Sequence, residues 1–440
     1  MTSLPKRPLY NFSLHPTCPR YLRFCLPSCL LRTGVSSDSD SSAFVAARIL
    51  YWTDRGLCRW VETVPERRNG SELKFPTGIA RLHHARQWEA YTAHIGGLLL
   101  GKSDDRVTFE RVGGERWISV SENGDVSGTP GLFDKDESIV TVRATAENGS
   151  TATMRLRIPV RKVWQSLVPD LEVMAFNLWH GGTRVKNFHE KQLRFIINSD
   201  ADVIALQEAS NTHGQRLGQA LGWSYYQSTG SVAVIRRYPI VEEYGEISAS
   251  GGVRININGH RRLSLKPTEV KIWSAHLGYT RYGPYDFCFD NMTKDEVLER
   301  EAESGQDAWS VPVILAGDFN APSHLDWVPE LADKNCGIDR FDWPTSVLPT
   351  AYGLLDSFRG ANLDPVAAQG TTWSPLYPRH NGERGREEPQ DRIDFIYHTQ
   401  ERLRAVKSEA IVVGSPRPYP QHANNEWTTD HAAVRTHFRV

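Results

Sequence analysis

Apolar and polar residues alternate along the chain from about Tyr91 to Val160, most regularly in Ile139 to Ala146 and Thr151 to Val160, on either side of Asn148 and Gly149. Period-two alternation marks strands with one buried face, and Asn-Gly between two such runs is the strongest short-range hairpin signal. Val140, Val142 and Ala144 are therefore expected beside Met154, Leu156 and Ile158 on the core face of a small all-β sandwich. Downstream the pattern changes. Short apolar runs such as Val203 to Leu206 and Val311 to Leu315 alternate with helical spacing, as in Phe188, Gln192, Phe195 and Ile196. This predicts one large α/β domain over the remaining 270 or so residues.

These patterns divide the chain into a leader and linker over 1–42, an unassigned stretch over 43–88, a β-sandwich over 89–162 and an α/β domain over 166–440. Strands are expected at Phe44 to Tyr51 and Leu57 to Val64, and Arg161 to Asp170 looks like a linker, which predicts that 165–440 works alone. Residues 1–37 hold five basic residues and no acidic one, but Pro5, Pro8, Pro16, Pro19 and Pro27 argue against a helical targeting sequence. At 440 residues the chain has room for two or three cores. Its 51 basic and 52 acidic side chains leave no overall basic footprint of the kind most nucleic-acid binders carry. No apolar run approaches the roughly 20 residues of a membrane helix. Six cysteines, among them Cys288 and Cys336, show no metal-ligand spacing and leave the redox compartment open. Sequons stand at Asn11, Asn69, Asn148 and Asn291.

Candidate chemistry lies in the second half, where apolar strands repeatedly end on polar residues. VPVILAGDFNAPS, 311–323, ends on Asp318 and Asn320, which an extended chain would hold on one face with Phe319 turned back into the core. A carboxylate to orient or deprotonate water beside an amide to hold phosphoryl oxygens suits phosphoester cleavage. LEVMAFN, 171–177, ends on Asn177 before Gly181 and Gly182, and DVIALQE, 202–208, ends on Glu208. A carboxylate directly after a buried strand needs a partner, and a hard cation such as Mg2+ suits it. EVKIWSAHL ends on His276, a candidate general acid or phosphate donor. DRIDFIYH, 391–398, places Arg392, Asp394 and Ile396 on one face, and TTDHAAV, 428–434, sets Asp430 beside His431. Asp394 is suited to hold His431 in one tautomer. Asp356 looks structural, Arg236 would pair with phosphate or face solvent, and the aromatic stretch 279–290 would form a substrate rim or pack an insertion.

YTAHI at 91–95, WISV at 117–120 and SGTP at 127–130 resemble the cadherin-like or immunoglobulin-type domains of extracellular proteins. That resemblance implies a binding module for glycan or a surface partner, or a passive spacer. Asn177, Glu208 in QE, His276 in SAHL, Asp318 and Asn320 in GDFN, Asp394 in RID, and Asp430 with His431 in DH stand in the order of the endonuclease/exonuclease/phosphatase superfamily, whose fold is deoxyribonuclease I-like. The resemblance runs over about 168 to 440. It implies a four-layered α/β sandwich with two mixed β-sheets, and phosphoester hydrolysis with Mg2+ or Mn2+ and without a covalent intermediate. Carried onto these positions, Glu208 would ligate the metal with Asn177 and Asp430 close by. Asp318 would activate water, Asn320 would hold a phosphoryl oxygen, and His431, steadied by Asp394, would act as base or clamp. His276 would stabilise the transition state or protonate the leaving group.

The expected activity is that of a phosphodiesterase of nuclease-like or phospholipid head-group type. Two other readings stand beside it: a phosphomonoesterase for inositol or sugar phosphates, and a non-catalytic adhesion protein keeping the fold. The leading sandwich and the balanced charge favour an extracellular or surface-associated protein.

Overall fold

A computed structural model describes residues 48–52, 58–62, 73–101, 106–257, 268–278, 282–302, 313–380, 385–400 and 403–440. The leader, its cysteines and the sequons at Asn11 and Asn69 lie outside these. Arg48–Trp52 and Cys58–Glu62 form an antiparallel pair with Leu50 opposite Trp60. They belong to a unit that ends at Arg68, and Asn69 to Val440 form a second.

The second unit opens with two small sheets. Thr151–Arg161 pairs with Glu137–Ala146 in the register Met154 to Val142 and Leu156 to Val140, joined through a turn in which Gly149 takes φ +83°, a left-handed value suited to glycine. Val140, Val142, Ala144, Met154, Leu156 and Ile158 are all buried, on the face the alternation assigns. Val107–Gly114, Ile79–Arg81 and the short Ala85–Arg86 complete this sheet, and Tyr91–His94, Asp125–Gly128 and Ile118–Val120 form the other. Ile79–Arg81 thus comes from the stretch without a sequence assignment.

Two six-stranded sheets follow. The first runs Ser224–Gln227, Ala233–Arg236, Val203–Gln207, Asp170–Asn177, Ala433–Arg439 and Arg404–Ile411; the second runs Ile240–Ile247, Ser250–Asn256, Glu269–His276, Val313–Asp318, Asp394–His398 and Leu355–Asp356. Both are mixed. Asp170–Asn177 is parallel to Val203–Gln207, Glu269–His276 is parallel to Val313–Asp318, and the other pairs are antiparallel. Val173, Ala205, Val234 and Phe438 of the first sheet meet Val253, Ile272, Ile314 and Ile396 of the second in a continuous core. Gln207 Nε2 donates to Ser274 Oγ at 2.9 Å across that core. Helices Phe188–Ser199 and His213–Leu221 cover the outer face of the first sheet through Leu193, Ile196 and Leu217. This is the four-layered sandwich expected.

The stretch before the α/β domain is not a free tether. Leu167 and Val168 are buried in the inter-sheet core, and the apolar cluster of the small sandwich is continuous with that under the two helices. Arg81 reaches Asp202 at 2.8 Å, His84 Nδ1 lies 2.7 Å from the Tyr238 hydroxyl, and Arg237 Nε donates to the Ala201 carbonyl at 2.9 Å. A Cβ on Gly222 would stand 2.0 Å from the His94 carbonyl oxygen, so the two parts touch backbone to backbone.

Two local expectations change, and one open question closes. Arg236 is buried opposite Val203, at the strand end remote from Glu208, where neither solvent nor a substrate phosphate reaches it. Arg392 precedes its strand and turns to the outer face, stacking 4.5 Å from the Phe395 ring and pairing with Asp356 at 2.7 Å. It does not share the face of Asp394. Cys288 and Cys336 form a disulfide with Cα atoms 5.2 Å apart. It ties helix Gly283–Cys288 to the segment packed around Trp327 and Trp343.

Candidate active site

Strand termini from both sheets converge at one end of the core. Parallel pairing sets His276 opposite Asp318, antiparallel pairing sets Asp318 opposite Asp394, and Asn177 pairs with Gln207, one residue before Glu208. Gly317 makes the central register possible, because a Cβ there would lie 1.9 Å from the Ala275 carbonyl oxygen.

Asp318 is the centre of the site and is only 1% exposed. Its Oδ2 accepts from Asn177 Nδ2 at 3.0 Å, its Oδ1 accepts from the Asn320 backbone N–H at 2.9 Å, and the Nε2 atoms of His276 and His431 each stand 3.7 Å from Oδ2. Burial raises its pKa, with Asp394 adding to the effect and the two imidazoles opposing it. Asn320 differs from the extended arrangement expected. The strand ends at Asp318, and Asn320 turns back at φ +49° to donate one amide hydrogen to the Leu277 carbonyl at 3.0 Å.

Around this carboxylate stand two further arrangements. His431 Nδ1 lies 2.8 Å from Asp394 Oδ2, and Ile393 and Asp394 both donate their backbone N–H to Thr372 Oγ1. Burial alone would depress the His431 imidazole, but Asp394, Asp318 and Asp430 outweigh it and lift the pKa to about 10. On the other side, Glu208 Oε2 accepts from the His180 backbone N–H at 2.6 Å, and Asn177 Nδ2 stands 3.4 Å from Glu208 Oε1, so one amide spans Glu208 and Asp318. The Asn177 amide is itself oriented by the Trp179 N–H. Asp430 is buried, and Glu208 and Asp318 add to the effect of burial while His431 opposes it, leaving its pKa at about 7.

All eight residues singled out from the sequence meet here. Others were not anticipated. Ser231 Oγ lies 3.0 Å from His276 Nδ1, the ring of Trp373 sits 5.0 Å from that of His431, and Trp427 Nε1 donates to the His431 carbonyl. Tyr282 and Tyr285 of the aromatic stretch hold Asp391 at 2.7 Å and Glu388 at 2.5 Å, and Trp373 Nε1 also donates to Glu388. Thr372 and Trp373 belong to GTTWS, 370–374, which signals only a loop.

The donor set fits a hard divalent cation. Four carboxylates face two imidazoles. Asp430 Oδ1 and Asp394 Oδ1 are buried without a hydrogen-bond partner among the described residues, and Glu208 and Asp318 add their charge to that of Asp430. Buried anionic oxygens in this number are stable only with a cation or protons between them.

The Endonuclease/Exonuclease/phosphatase family model matches residues 174–431. The chain belongs to this family, which in general comprises metal-dependent phosphoester hydrolases. An uncharacterized protein of Caenorhabditis elegans is 29% identical over 295 residues, 60% of this chain and 90% of that protein. Among solved structures, an endonuclease/exonuclease/phosphatase family protein from Bacteroides thetaiotaomicron is 15% identical with a TM-score of 0.35, covering 62% of this chain and 98% of its own. An AP endonuclease from Leishmania major is 14% identical with a TM-score of 0.37, covering 62% and 88%.

Proposed function

We propose that the protein is a Mg2+- or Mn2+-dependent phosphodiesterase in which Asp318 takes the proton of the attacking water. The supporting observation is the setting of that carboxylate. It is buried, aligned by Asn177 and the Asn320 N–H, and flanked by two imidazoles at 3.7 Å. Burial makes it more basic than an exposed aspartate.

As water attacks phosphorus, its proton passes to Asp318. His431, held as imidazolium by Asp394, hydrogen-bonds a phosphoryl oxygen as charge builds there. His276 gives a proton to the departing oxygen as its bond to phosphorus breaks. Asn320 has spent one amide hydrogen on Leu277 and keeps the other for a second phosphoryl oxygen. Glu208 and Asp430 would hold the metal, which supplies Lewis-acid stabilisation when bound, while Asn177, whose Nδ2 faces both carboxylates and whose oxygen is taken by the Trp179 N–H, would align Glu208 and Asp318 instead of ligating as the resemblance implied.

Hydrolysis of bis(p-nitrophenyl) phosphate against p-nitrophenyl phosphate tests this reading. Release from the diester that chelator abolishes and Mg2+ restores is the expected result. Preference for the monoester would replace it with a phosphatase of inositol or sugar phosphates. Silence on both, with no metal uptake by titration calorimetry, would leave a scaffold that keeps only the fold.

A further inference from the structure

An arginine taken out of water needs a counter-charge. Arg81 and Arg237 face Asp202, Arg86 faces Glu89, and Arg359 and Arg392 share Asp326. Arg236 lacks such an acid and is enclosed between strands. Arg216, on helix His213–Leu221, also lacks one, and it opens onto a cleft. It is half-buried, and no carboxylate faces it among the described residues. Its Nη2 donates to Gln192 Oε1 at 2.7 Å and lies 3.4 Å from the Gly181 carbonyl oxygen, its Nη1 meets His189 Nδ1, and its guanidinium carbon stands 5.0 Å from the centre of the Phe188 ring. The Nε–H has no hydrogen-bond partner. Burial and the guanidinium hold His189 neutral, with its pKa at about 4, so every partner of Arg216 is uncharged, and burial draws the arginine's own pKa down to about 10.

The cleft has a volume of about 470 Å³ and lies where this helix meets the turn Gly96–Leu98 of the small sandwich. A Cβ on Gly97 would stand 2.5 Å from the Gln219 carbonyl oxygen, so the two elements touch backbone to backbone and fix the walls. His189, Thr212, Gln215 and Gln219 line it together with Arg216. An imidazole, a hydroxyl and two amides can all donate, and no carboxylate stands among the lining residues. Thr212 and Gln219 are exposed, which leaves the mouth open to solvent. A space of this size falls in the range of small-molecule sites.

We propose that this cleft is a binding site for a small phosphate-bearing anion, with Arg216 as its counter-charge and Thr212, Gln215 and Gln219 as further donors. A phosphate group accepts from a guanidinium and from several neutral donors at once, and it supplies the negative charge that the fold leaves out. With no carboxylate to hold a metal or take a proton, the cleft binds and does not hydrolyse. None of its lining residues belongs to the active site, so the proposal stands or falls apart from the phosphodiesterase reading.

The test is thermal unfolding of the full chain in chelator, with inorganic phosphate exchanged for chloride at constant ionic strength. Phosphate at about tenfold excess over its Kd is expected to raise the midpoint by roughly 2 °C. Arg216→Gln should weaken phosphate binding, read by titration calorimetry, by about tenfold or more. His276→Gln, in the active site, should leave that binding intact. Gln219→Glu sets a carboxylate three residues along the helix from Arg216, so it should raise the midpoint without phosphate and abolish the response to phosphate. Because Gln219 is exposed, this variant carries the test if Arg216→Gln melts early. Tighter binding of glucose 6-phosphate than of inorganic phosphate would identify a sugar phosphate as the ligand, and equal binding would identify the free anion. No rise above chloride in the wild type, a response that Arg216→Gln or Gln219→Glu retains, or one that His276→Gln removes would overturn the proposal.

Discussion

At the scale of single residues, the site depends on how few contacts fix Asp318 and His431. Asp318→Ala removes the proposed acceptor for the water proton but leaves Asn177 able to bond Glu208, so turnover should fall by at least about 10²-fold with a near-native melting curve. An Asp318→Ala enzyme of undiminished rate would refute the mechanism. Asp394→Asn keeps the shape of the pair but not its charge. His431 would lose its strongest reason to stay protonated, and kcat should drop by roughly 10² to 10⁴ with little change in KM. Steady-state kinetics on the diester reads this directly. These carboxylates and imidazoles were legible in the sequence because each stands at one end of an apolar strand, His276 and Asp318 closing theirs and Asp394 and His431 leading into theirs, where a polar side chain has no structural reason to recur. The turn at Asn320 was not, since an extended and a left-handed continuation share the same residues.

Among elements, the parallel contact between Glu269–His276 and Val313–Asp318 carries the geometry. Gly317→Ala would drive a methyl into the Ala275 carbonyl, and separating the strands would move Asp318 away from His276. A loss of several kcal/mol, read by chemical denaturation, and a collapse of activity are expected. Gly149→Ala meets nothing within 4 Å, so it should cost only the left-handed conformation of the turn, about 1 kcal/mol, without touching kcat. The hairpin at Asn148 and Gly149 and the strand registers around it could be read ahead because period-two patterns are local. The supports of the site could not. Thr372 under Asp394 and the His180 N–H under Glu208 act through an ordinary hydroxyl and a backbone group, which leave no pattern in a chain.

For the molecule as a whole, the small sandwich belongs to the same compact unit as the α/β layers and is not a detachable module. Arg81, His84, Asp202, Arg237 and Tyr238 form a buried cluster between it and the α/β layers, and Arg237 also stacks 4.4 Å from Trp223. The fragment 165–440 would leave Asp202 without Arg81 and expose the helices' apolar outer faces, so it should aggregate or melt well below the full chain. A soluble fragment with native activity would restore the linker reading. Burial, with the neighbouring Arg237, holds His83 at about 4, and burial with Arg81 and Arg237 outweighs Asp202 to hold His84 at about 4. Their ordinary value is about 6.5, so the unfolded chain binds these protons first. The stability they contribute is full above pH 6.5 and is lost as pH falls towards 4, by a few kcal/mol in all. Thermal midpoints at pH 7.5 and 5 measure this, and His84→Gln should remove about half of the difference, the His83 share remaining. The sequence hid this cluster because Arg81 and Asp202 lie 121 residues apart and carry no shared motif.

The Cys288–Cys336 bridge has a practical bearing on every one of these measurements. It spans 48 residues that include Asp318 and Asn320, and closing such a loop restrains the unfolded chain by about 4 kcal/mol in the entropic account. Bonds of this type form and persist in oxidising compartments. Protein made in a reducing bacterial cytosol, or stored with dithiothreitol, would lack this restraint, and its inactivity would report the choice of host and buffer. Oxidative expression is therefore the preparation in which a negative assay has meaning.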